Sequence, residues 1–320
     1  MKQNGVPDTP AQRCVVTVPS TTANIGPGFD CLGAALELNN RFSVRRLSGR
    51  VAHFDLIMDG SEGSHLRGGP ENLFYKSALR VWKVAGVEPL PLEARVSLSV
   101  PPARGLGSSA TAIVAGLVGA NALCGGPLDK GKLLELAIDI EGHPDNVAPS
   151  LLGGLCLTAR IPSHAGHRWR VLRSRWHEDV RAVVAIPSLR LPTSEARRAM
   201  PRVIPIPDAV TNLGALTVLL QGLSSGNGDL ISDGLHDAIH QPYRWPLINH
   251  GQEVREAAMD AGAWGCVISG AGPTILALSD RAHERAVGEA MVNSWRQAGV
   301  EARYQGLGLQ RSGAVFELSD

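Results

Sequence analysis

The sequence predicts an α+β protein, a class in which helices and strands are mixed without a regular alternation. Segments with a strand pattern and segments with a helix pattern follow one another irregularly, unlike the repeated strand–helix order that builds a parallel α/β sheet. Of the 320 residues, 44% are apolar and 19% are charged, which is typical of a folded globular chain. The 36 glycines indicate many places where the backbone bends or is closely approached.

The N-terminal part shows two strand signals. Residues 14–18 are a short β-branched run, and residues 95–100 alternate polar and apolar side chains as a half-buried strand does. Between them, residues 19–33 read PSTTANIGPGFDCLG, a composition that predicts turns. The prolines at 101 and 102 end the second strand.

Two helices follow a glycine-rich loop, RGLGSS, at residues 104–109. Residues 110–123 are apolar nearly all round, so we expect a buried helix. Residues 132–141 are apolar on one face only and are followed by Gly142, which predicts an amphipathic helix that ends there.

The second half continues the mixture of elements. We predict strands at 153–159, 181–187 and 314–318, helices at 208–223, 249–261 and 282–298, a hairpin or boundary at 162–178, and a strand–glycine turn–strand at 266–278. The domain boundary is placed near residue 165, so residues 1–165 and 166–320 are expected to form the two domains.

Charge and composition argue against several classes of protein. The 31 Lys and Arg residues nearly balance the 30 Asp and Glu residues, which disfavours a nucleic-acid partner. Residues 1–12 lack the apolar stretch of a signal peptide, and the most apolar run, 110–124, is shorter than a membrane span of roughly 20 residues. The five cysteines contain no C-x-x-C pair, so we expect reduced thiols, no zinc site and a cytoplasmic protein.

The strand, the loop PPARGLGSSA and the apolar helix together form the strongest local signal. Gly105 and Gly107 allow the backbone to approach an anion, while Ser108 and Ser109 supply hydroxyl groups. The start of the helix adds unpaired N–H groups, so the segment can hold a polyphosphate. No Lys–Ser/Thr pair follows the last glycine, which excludes a Walker A loop. A loose dinucleotide fingerprint and an ordinary capped helix remain as alternatives.

Four segments in order, PSTTANIGPGFDCLG, PPARGLGSSAT, EGHPDNVAP and SGAGPT, resemble the motifs of the GHMP kinases, a family of small-molecule kinases. The first and third resemble the homoserine kinase branch of that family. The resemblance implies an N-terminal domain like ribosomal protein S5 domain 2 and a ferredoxin-like C-terminal domain. It also implies phosphorylation of the side-chain hydroxyl of L-homoserine by ATP with Mg²⁺, in threonine biosynthesis, and a possible homodimer.

Two alternatives stay open at this stage. One is another GHMP kinase that acts on a mevalonate-type or erythritol-type alcohol, although residues 20–22 are Ser-Thr-Thr and lack the cation those relatives carry. The other is a non-enzymatic sensor on the same fold. We disfavour the sensor because the loop and Glu135 are intact.

The resemblance assigns residues to the amino-acid substrate. Asn24 and Asp30 would bind its ammonium group, and Arg197 and Arg244 its carboxylate, with the planar fork that guanidinium offers. Without the resemblance, Asp30 would be a cap or turn residue. Three residues would lie at the substrate hydroxyl and are the catalytic candidates: His143, Asp145 and Asn146. Asp145 would be a base, or transfer would rest on positioning alone.

The resemblance also assigns the nucleotide and metal sites. Asn72 would lie near the adenine or, alternatively, cap a helix. The loop residues expected at ATP are Pro102, Ala103, Arg104, Gly105, Leu106, Gly107, Ser108, Ser109, Ala110 and Thr111. Arg104 would touch a phosphate or point to solvent. Glu135 and Ser108, or Ser109 in its place, would hold Mg²⁺. The ordinary alternative for Glu135 is surface pairing with Lys132.

Overall fold

The protein is described from a computed structural model that covers residues 12–49, 51–99, 102–164 and 166–319. Within these ranges the strands are β1 (Arg13–Asn24), β2 (Gly28–Arg46), β3 (Phe54–Asp59), β4 (Leu92–Ser97), β5 (Leu155–Ser163), β6 (Gly166–Ser174), β7 (Arg181–Pro187), β8 (Gly265–Ile268), β9 (Ile275–Ser279), β10 (Ala302–Leu307) and β11 (Val315–Ser319).

The helices in the same ranges are α1 (Leu73–Ala85), α2 (Ser108–Leu123), α3 (Lys130–Glu141), α4 (Pro144–Leu152), α5 (Thr193–Arg198), α6 (Ile206–Ser225), α7 (Gly228–Gly234), α8 (Gln241–Arg244), α9 (Gly251–Asp260) and α10 (Glu284–Gln297). A 3-10 turn, Trp245–Leu247, follows α8 directly. None of the helices described here is long and apolar enough to cross a membrane.

The strands form two sheets. The larger has the order β11-β1-β2-β4-β3, and β5 pairs with the other end of β2 and carries β6 at its edge. The smaller has the order β10-β7-β9-β8. Among the described strand pairs only β3 and β4 are parallel. Mixed helices with mostly antiparallel sheets confirm the α+β prediction.

The chain crosses between the sheets more than once. β6 begins at Gly166 and belongs to the larger sheet, and the last strand, β11, returns to pair with β1. Residue 165 itself lies outside the described residues. The domain boundary near that position stays a prediction.

The apolar residues form a core on each side of the smaller sheet and a third core on the larger one. Along β7, Val183 packs towards α9 and α10, whereas Val184 packs towards α6 and α7, as the alternation of a strand requires. The core that contains Val184 also contains Leu32 and Leu36 from the larger sheet. The two sheets are therefore joined by apolar packing, and this fixes the cleft between them.

Helix α2 is buried all round, as its uniform apolar pattern predicts. It begins at Ser108, two residues before the predicted start, because Gly107 takes the N-cap position with a positive φ of 67°. The predicted strand at 181–187 and the strand–turn–strand at 266–278 are confirmed by β7, β8 and β9.

The prediction of turns across residues 19–33 is wrong for most of that stretch. β1 continues to Asn24, and β2 begins at Gly28 after a short turn. A register shift between Pro19 and Thr21 accommodates the proline within the strand. The polar side chains that suggest a loop are buried instead, because Thr21 and Thr22 form hydrogen bonds with side chains far along the chain.

Candidate active site

Two adjoining cavities lie at the N-terminus of α2. The first is polar, has a volume of about 110 Å³, and is lined by Asn24, Asp30, Ala103, Arg104, Gly105, Gly107, Ser108, Ser109, Glu141, His143, Asp145, Asn146, Thr193, Arg197, Arg244, Gly270 and Ala271. The second, of about 540 Å³, has mainly apolar walls from β3, β4 and the start of α1. Ala103, Ser108, Ser109 and Thr193 line both cavities, so one continuous cleft joins them.

The glycine loop is shaped by left-handed backbone at Ala103, Gly105 and Gly107, with φ values of 58°, 76° and 67°. A Cβ atom on Gly107 would lie 2.0 Å from the Thr21 hydroxyl oxygen, and one on Gly105 would lie 2.3 Å from the Ser269 carbonyl oxygen. Only glycine fits these two positions. No side chain caps the helix at Gly107, so the first N–H groups of α2 remain available to an anion.

The SGAGPT segment, residues 269–274, forms hydrogen bonds with the glycine loop and supports it. The Ser269 hydroxyl donates to the Gly105 carbonyl at 2.7 Å, and the Thr274 N–H donates to the Arg104 carbonyl at 3.2 Å. The Ser269 and Thr22 hydroxyl oxygens are 2.9 Å apart, which ties this support to β1. The segment therefore lies directly beside the glycine loop.

Arg104 neither reaches into solvent nor aims freely at the cleft. Its buried guanidinium donates from Nε to the Pro187 carbonyl at 3.1 Å and from Nη2 to the Ser188 carbonyl at 3.0 Å. Burial, followed by the charge of Arg190, lowers its pKa below the ordinary value. Arg104 thus fastens the glycine loop to the end of β7.

The other loop residues divide into two groups. Pro102 lines the apolar cavity and Ser108 lines both cavities. Leu106, Ala110 and Thr111 are buried beneath the loop and are not among the described residues that line either cavity.

Asp30 and Arg197 form a two-pronged ion pair inside the polar cavity. Arg197 donates from Nη1 and Nη2 to the two Asp30 oxygens at 3.1 and 2.8 Å. These hydrogen bonds raise the pKa of Arg197, against the effect of burial. Asn24 accepts from the Asp30 N–H at 3.0 Å and donates to the Gly270 carbonyl at 2.8 Å. The pair joins β2 to α5, so both halves of the chain contribute to the site.

Arg244 is buried to 2% exposure and enters the same cavity from α8. Its Nη1 donates to the Gly270 carbonyl at 3.1 Å, and its Nε has no hydrogen-bond partner among the described residues. Burial, followed by the charge of Arg197, lowers its pKa. A buried guanidinium that is paired with a single carbonyl oxygen is suited to an anionic ligand.

His143, Asp145 and Asn146 lie at the junction of α3 and α4. Asp145 is buried in the first turn of α4. His143 Nδ1 and Asp145 Oδ1 are 2.5 Å apart, and Thr21 donates to Asn146 Oδ1 at 2.8 Å. Burial alone lowers the pKa of His143, but the hydrogen bond and charge of Asp145, with the charge of Glu141, outweigh it and raise that pKa.

Glu135, the glutamate expected to hold the metal, is not among the described residues that line either cavity. Glu135 is exposed and pairs with Lys132 at 3.0 Å, the ordinary surface arrangement. Glu141, at the end of the same helix, lines the polar cavity and accepts from the Ser109 hydroxyl at 2.8 Å. Burial raises the pKa of Glu141, and the hydrogen bond from Ser109 opposes that rise. In the sequence, the position of Glu141 directly before Gly142 and His143 is the signal that could have identified Glu141 as a site residue.

Asn72 serves as the N-cap of α1. Its side chain accepts from the Phe74 N–H at 3.0 Å and donates to the Arg67 carbonyl at 2.8 Å. It also lines the apolar cavity. The capping alternative is therefore confirmed, and a contact with a nucleotide stays a prediction.

Thr193, at the start of α5, lines both cavities, and the sequence analysis did not identify it because no motif surrounds it.

Comparison with known proteins gives consistent matches along the chain. The family model for the GHMP kinases N terminal domain matches residues 72–154, and that for the GHMP kinases C terminal domain matches residues 219–297. The homoserine kinase of Synechococcus sp. (strain CC9902) is 68% identical over 309 residues, 97% of each chain. That of Prochlorococcus marinus (strain MIT 9313) is 68% identical over 306 residues, 96% of each chain.

Solved structures agree with these sequence matches. The crystal structure of homoserine kinase from Cytophaga hutchinsonii superposes with a TM-score of 0.86 and 29% identity and covers 99% of both chains. L. major mevalonate kinase, solved in complex with R-mevalonate, superposes with a TM-score of 0.70 at 15% identity and covers 98% of this chain and 99% of its own. The second similarity concerns the fold alone.

Proposed function

The chain belongs to the homoserine kinases of the GHMP kinase family, and from this premise we propose that it transfers the γ-phosphoryl group of ATP to the side-chain hydroxyl of L-homoserine. The products are ADP and O-phospho-L-homoserine, a step of threonine biosynthesis. The observation that carries the proposal is the adjacency of the Asp30 carboxylate, the Arg197 guanidinium and the buried Arg244 in one cavity.

This charge arrangement is complementary to an amino-acid zwitterion. The ammonium and carboxylate of L-homoserine are attached to one carbon atom, so their partners must also lie close together. Asp30 and the Asn24 side-chain oxygen are the ammonium acceptors, and Arg197 and Arg244 are the carboxylate donors. A mevalonate-type alcohol carries no ammonium and would leave Asp30 without a new partner.

The nucleotide is proposed to fill the apolar cavity and to extend its phosphates along the glycine loop. The apolar walls of the cavity suit the adenine ring, and Asn72 is among the residues that line it. The free N–H groups at the start of α2 suit the phosphates, and Gly105 and Gly107 have no side chains that would keep the phosphates away from the backbone. Because Ser108 and Ser109 line both cavities, the γ-phosphate would lie where the cleft becomes polar.

We assign the Mg²⁺ ligands to Glu141 and Ser109, in place of Glu135 and Ser108. Mg²⁺ prefers one or two carboxylate ligands with phosphate oxygens and water. The burial that raises the pKa of Glu141 marks a carboxylate whose charge a cation would stabilise. When bound, the ion would supply positive charge that stabilises the transferring phosphoryl group, and Glu141 and Ser109 would hold it there.

The hydroxyl of homoserine is proposed to lie against His143, Asp145 and Asn146. The His143–Asp145 hydrogen bond fixes both side chains, and Asn146 is held by Thr21. Asp145 would accept the hydroxyl hydrogen bond and keep the oxygen in line with the phosphorus atom. Phosphoryl transfer through a loose transition state requires mainly this positioning and stabilisation of charge.

We also propose where the enzyme acts and how it assembles. It is expected to act in the cytoplasm and to form a homodimer. On α6, Ile206, Val210 and Leu213 are 79%, 61% and 67% exposed and lie on one stripe at spacings of four and three. Asp208 is the one charged residue of this helix, so the stripe matches another uncharged, apolar stripe such as its own copy. Light scattering of wild type and Leu213→Glu tests this, with a dimer expected only for wild type.

An ADP-release assay with Mg-ATP tests the activity. The panel is L-homoserine, L-threonine, L-serine, mevalonate and diphosphocytidyl-methylerythritol. Selective turnover of L-homoserine is the expected result. Preference for an alcohol without an ammonium group would reject the proposed substrate and the roles of Asp30 and the two arginines.

A further inference from the structure

Phe29 lies beside Arg197 and Arg244, two charged residues that line the polar cavity, and its ring has no part in the function proposed above. The ring centroid is 5.8 Å from the guanidinium carbon of Arg197 and 5.1 Å from that of Arg244. A guanidinium at such a distance is attracted to the negative face of an aromatic ring. The two arginines assigned to the carboxylate therefore share one aromatic surface.

A buried histidine supports the same ring. His240 stacks on Phe29 with centroids 5.3 Å apart and an angle of 28° between the planes. His240 is fully buried, and its Nε2 donates to the Gly26 carbonyl at 2.8 Å. Gly26 lies in the turn between β1 and β2. Burial lowers the pKa of His240, although the charge of Asp237 opposes this, and the lowered pKa favours the neutral imidazole. A neutral ring adds no repulsion to the nearby Arg244.

The backbone around His240 is held by several hydrogen bonds. Asp237 is buried and accepts from the backbone N–H groups of Ile239, His240 and Gln241. It also accepts from the Asn212 side chain at 2.9 Å, and Asn212 donates to the Pro27 carbonyl at 3.2 Å. The turn before Phe29 and the segment before Arg244 are thus parts of one rigid unit.

The two arginines need such a surface because they carry like charges in a partly buried cavity. Arg197 is held by Asp30, whereas Arg244 has a single carbonyl partner among the described side-chain contacts. An aliphatic side chain at position 29 would fill the space but offer no attraction to either guanidinium. An aromatic ring attracts both through its face and uses none of their N–H groups, so the N–H groups that Asp30 and Gly270 leave unpaired can face a ligand.

We propose that Phe29 is a positioning residue that holds Arg197 and Arg244 on its ring, aimed at the carboxylate of the bound amino acid. Phe29 acts through the arginines and does not touch the reacting atoms. The inference rests on the proposed function, since it presumes an amino-acid substrate whose carboxylate these arginines bind.

The test compares Phe29→Leu with Phe29→Tyr in steady-state kinetics. The leucine variant is expected to raise KM for L-homoserine about tenfold, with KM for ATP and kcat within about twofold of wild type. The tyrosine variant retains the ring and is expected to retain the wild-type KM. Phe316→Leu on β11 makes the same change at a half-exposed ring of the larger sheet and is the matched control. If Phe29→Leu fails to fold, Phe29→Met replaces it.

A double-mutant cycle with Arg197→Ala tests whether the ring acts through the arginine. The double variant is expected to lose less than the product of the two single losses in kcat/KM. Fully multiplicative losses, equal rises in both KM values, or equal losses in the leucine and tyrosine variants would overturn the role of Phe29. Wild-type protein that does not turn over L-homoserine would instead reject the proposed function itself.

Discussion

Arg197 and Asp30 form a bidentate ion pair across the cleft, with Nη1–Oδ2 and Nη2–Oδ1 distances of 3.1 and 2.8 Å. The side chains retain 37% and 35% exposure, so each can still reach a ligand. A surface-accessible pair of this kind contributes little to stability. Its value lies in presenting opposite charges side by side, which is the pattern that an amino-acid head group requires.

Asp30→Asn removes the anionic partner of the ammonium group while it preserves the side-chain shape. We expect KM for L-homoserine to rise by the equivalent of about 2 kcal/mol, the usual contribution of a charged hydrogen bond. The analogue 4-hydroxybutyrate lacks the ammonium group, so its kcat/KM is expected to change much less. A parallel loss for both alcohols would contradict the assignment of Asp30.

Glu141→Gln and Glu135→Gln distinguish the two candidate metal ligands on α3. Loss of the carboxylate at 141 is expected to raise the Mg²⁺ concentration at half-maximal activity at least tenfold and to lower kcat. Glu135 is exposed and pairs with Lys132, so its variant is the matched control and should behave as wild type. A titration of activity against Mg²⁺ measures both. The reverse pattern would restore Glu135 as the ligand.

Gly107→Ala tests the close approach at the start of α2. The new methyl group would lie 2.0 Å from the Thr21 hydroxyl oxygen at a φ of 67°, so we expect a loss of about 3 kcal/mol of unfolding free energy. KM for ATP should also rise. Gly126→Ala has a similar φ of 72° with nothing within 4 Å and is expected to lose about 1 kcal/mol. Equal losses in urea unfolding would show that the contact with Thr21 does not matter.

The raised pKa of His143 predicts a pH-dependent contribution to stability. A histidine with a higher pKa in the folded state stabilises the fold fully below its unfolded pKa, about 6.5, and this contribution is lost as pH rises through the folded pKa. The difference in unfolding free energy between wild type and His143→Gln should therefore be larger at pH 5.5 than at pH 8.5. The exposed His164→Gln supplies the background for the comparison. A larger difference at the higher pH would contradict the protonated His143–Asp145 pair.

The elements that the sequence predicted well are those whose own residues form a nearly uninterrupted apolar run. The buried helix α2 and the strand β7 follow from their own residues, because uniform apolar character or a β-branched run specifies them locally. The end of β1 could not be predicted in this way. Thr21 and Thr22 are buried because Asn146 and Ser269 supply their hydrogen bonds, 125 and 247 residues further along the chain.

The resemblance identified several residues of the candidate site from the sequence. Other residues, such as Glu141, were identified only from the way the helices pack. Asn24, Asp30, Arg197 and Arg244 are brought together as the resemblance implies. Glu135 and Glu141 lie on one helix but six residues apart, a rotation of about 240° from one another. They therefore face different surroundings, and only the packing of α3 against α2 and α4 shows which one faces the cleft.

A competition experiment tests the central claim most directly. Equimolar L-homoserine, L-threonine, L-serine and mevalonate are offered with limiting Mg-ATP, and phosphorus–proton correlation NMR identifies which carbon bears the new phosphoester. We expect a single product, with phosphate on the terminal CH₂ oxygen of L-homoserine, because only this alcohol combines the zwitterion that the Asp30–Arg197–Arg244 cluster fits with a primary hydroxyl long enough to reach His143 and Asp145. Phosphate found mainly on any other alcohol would contradict the account.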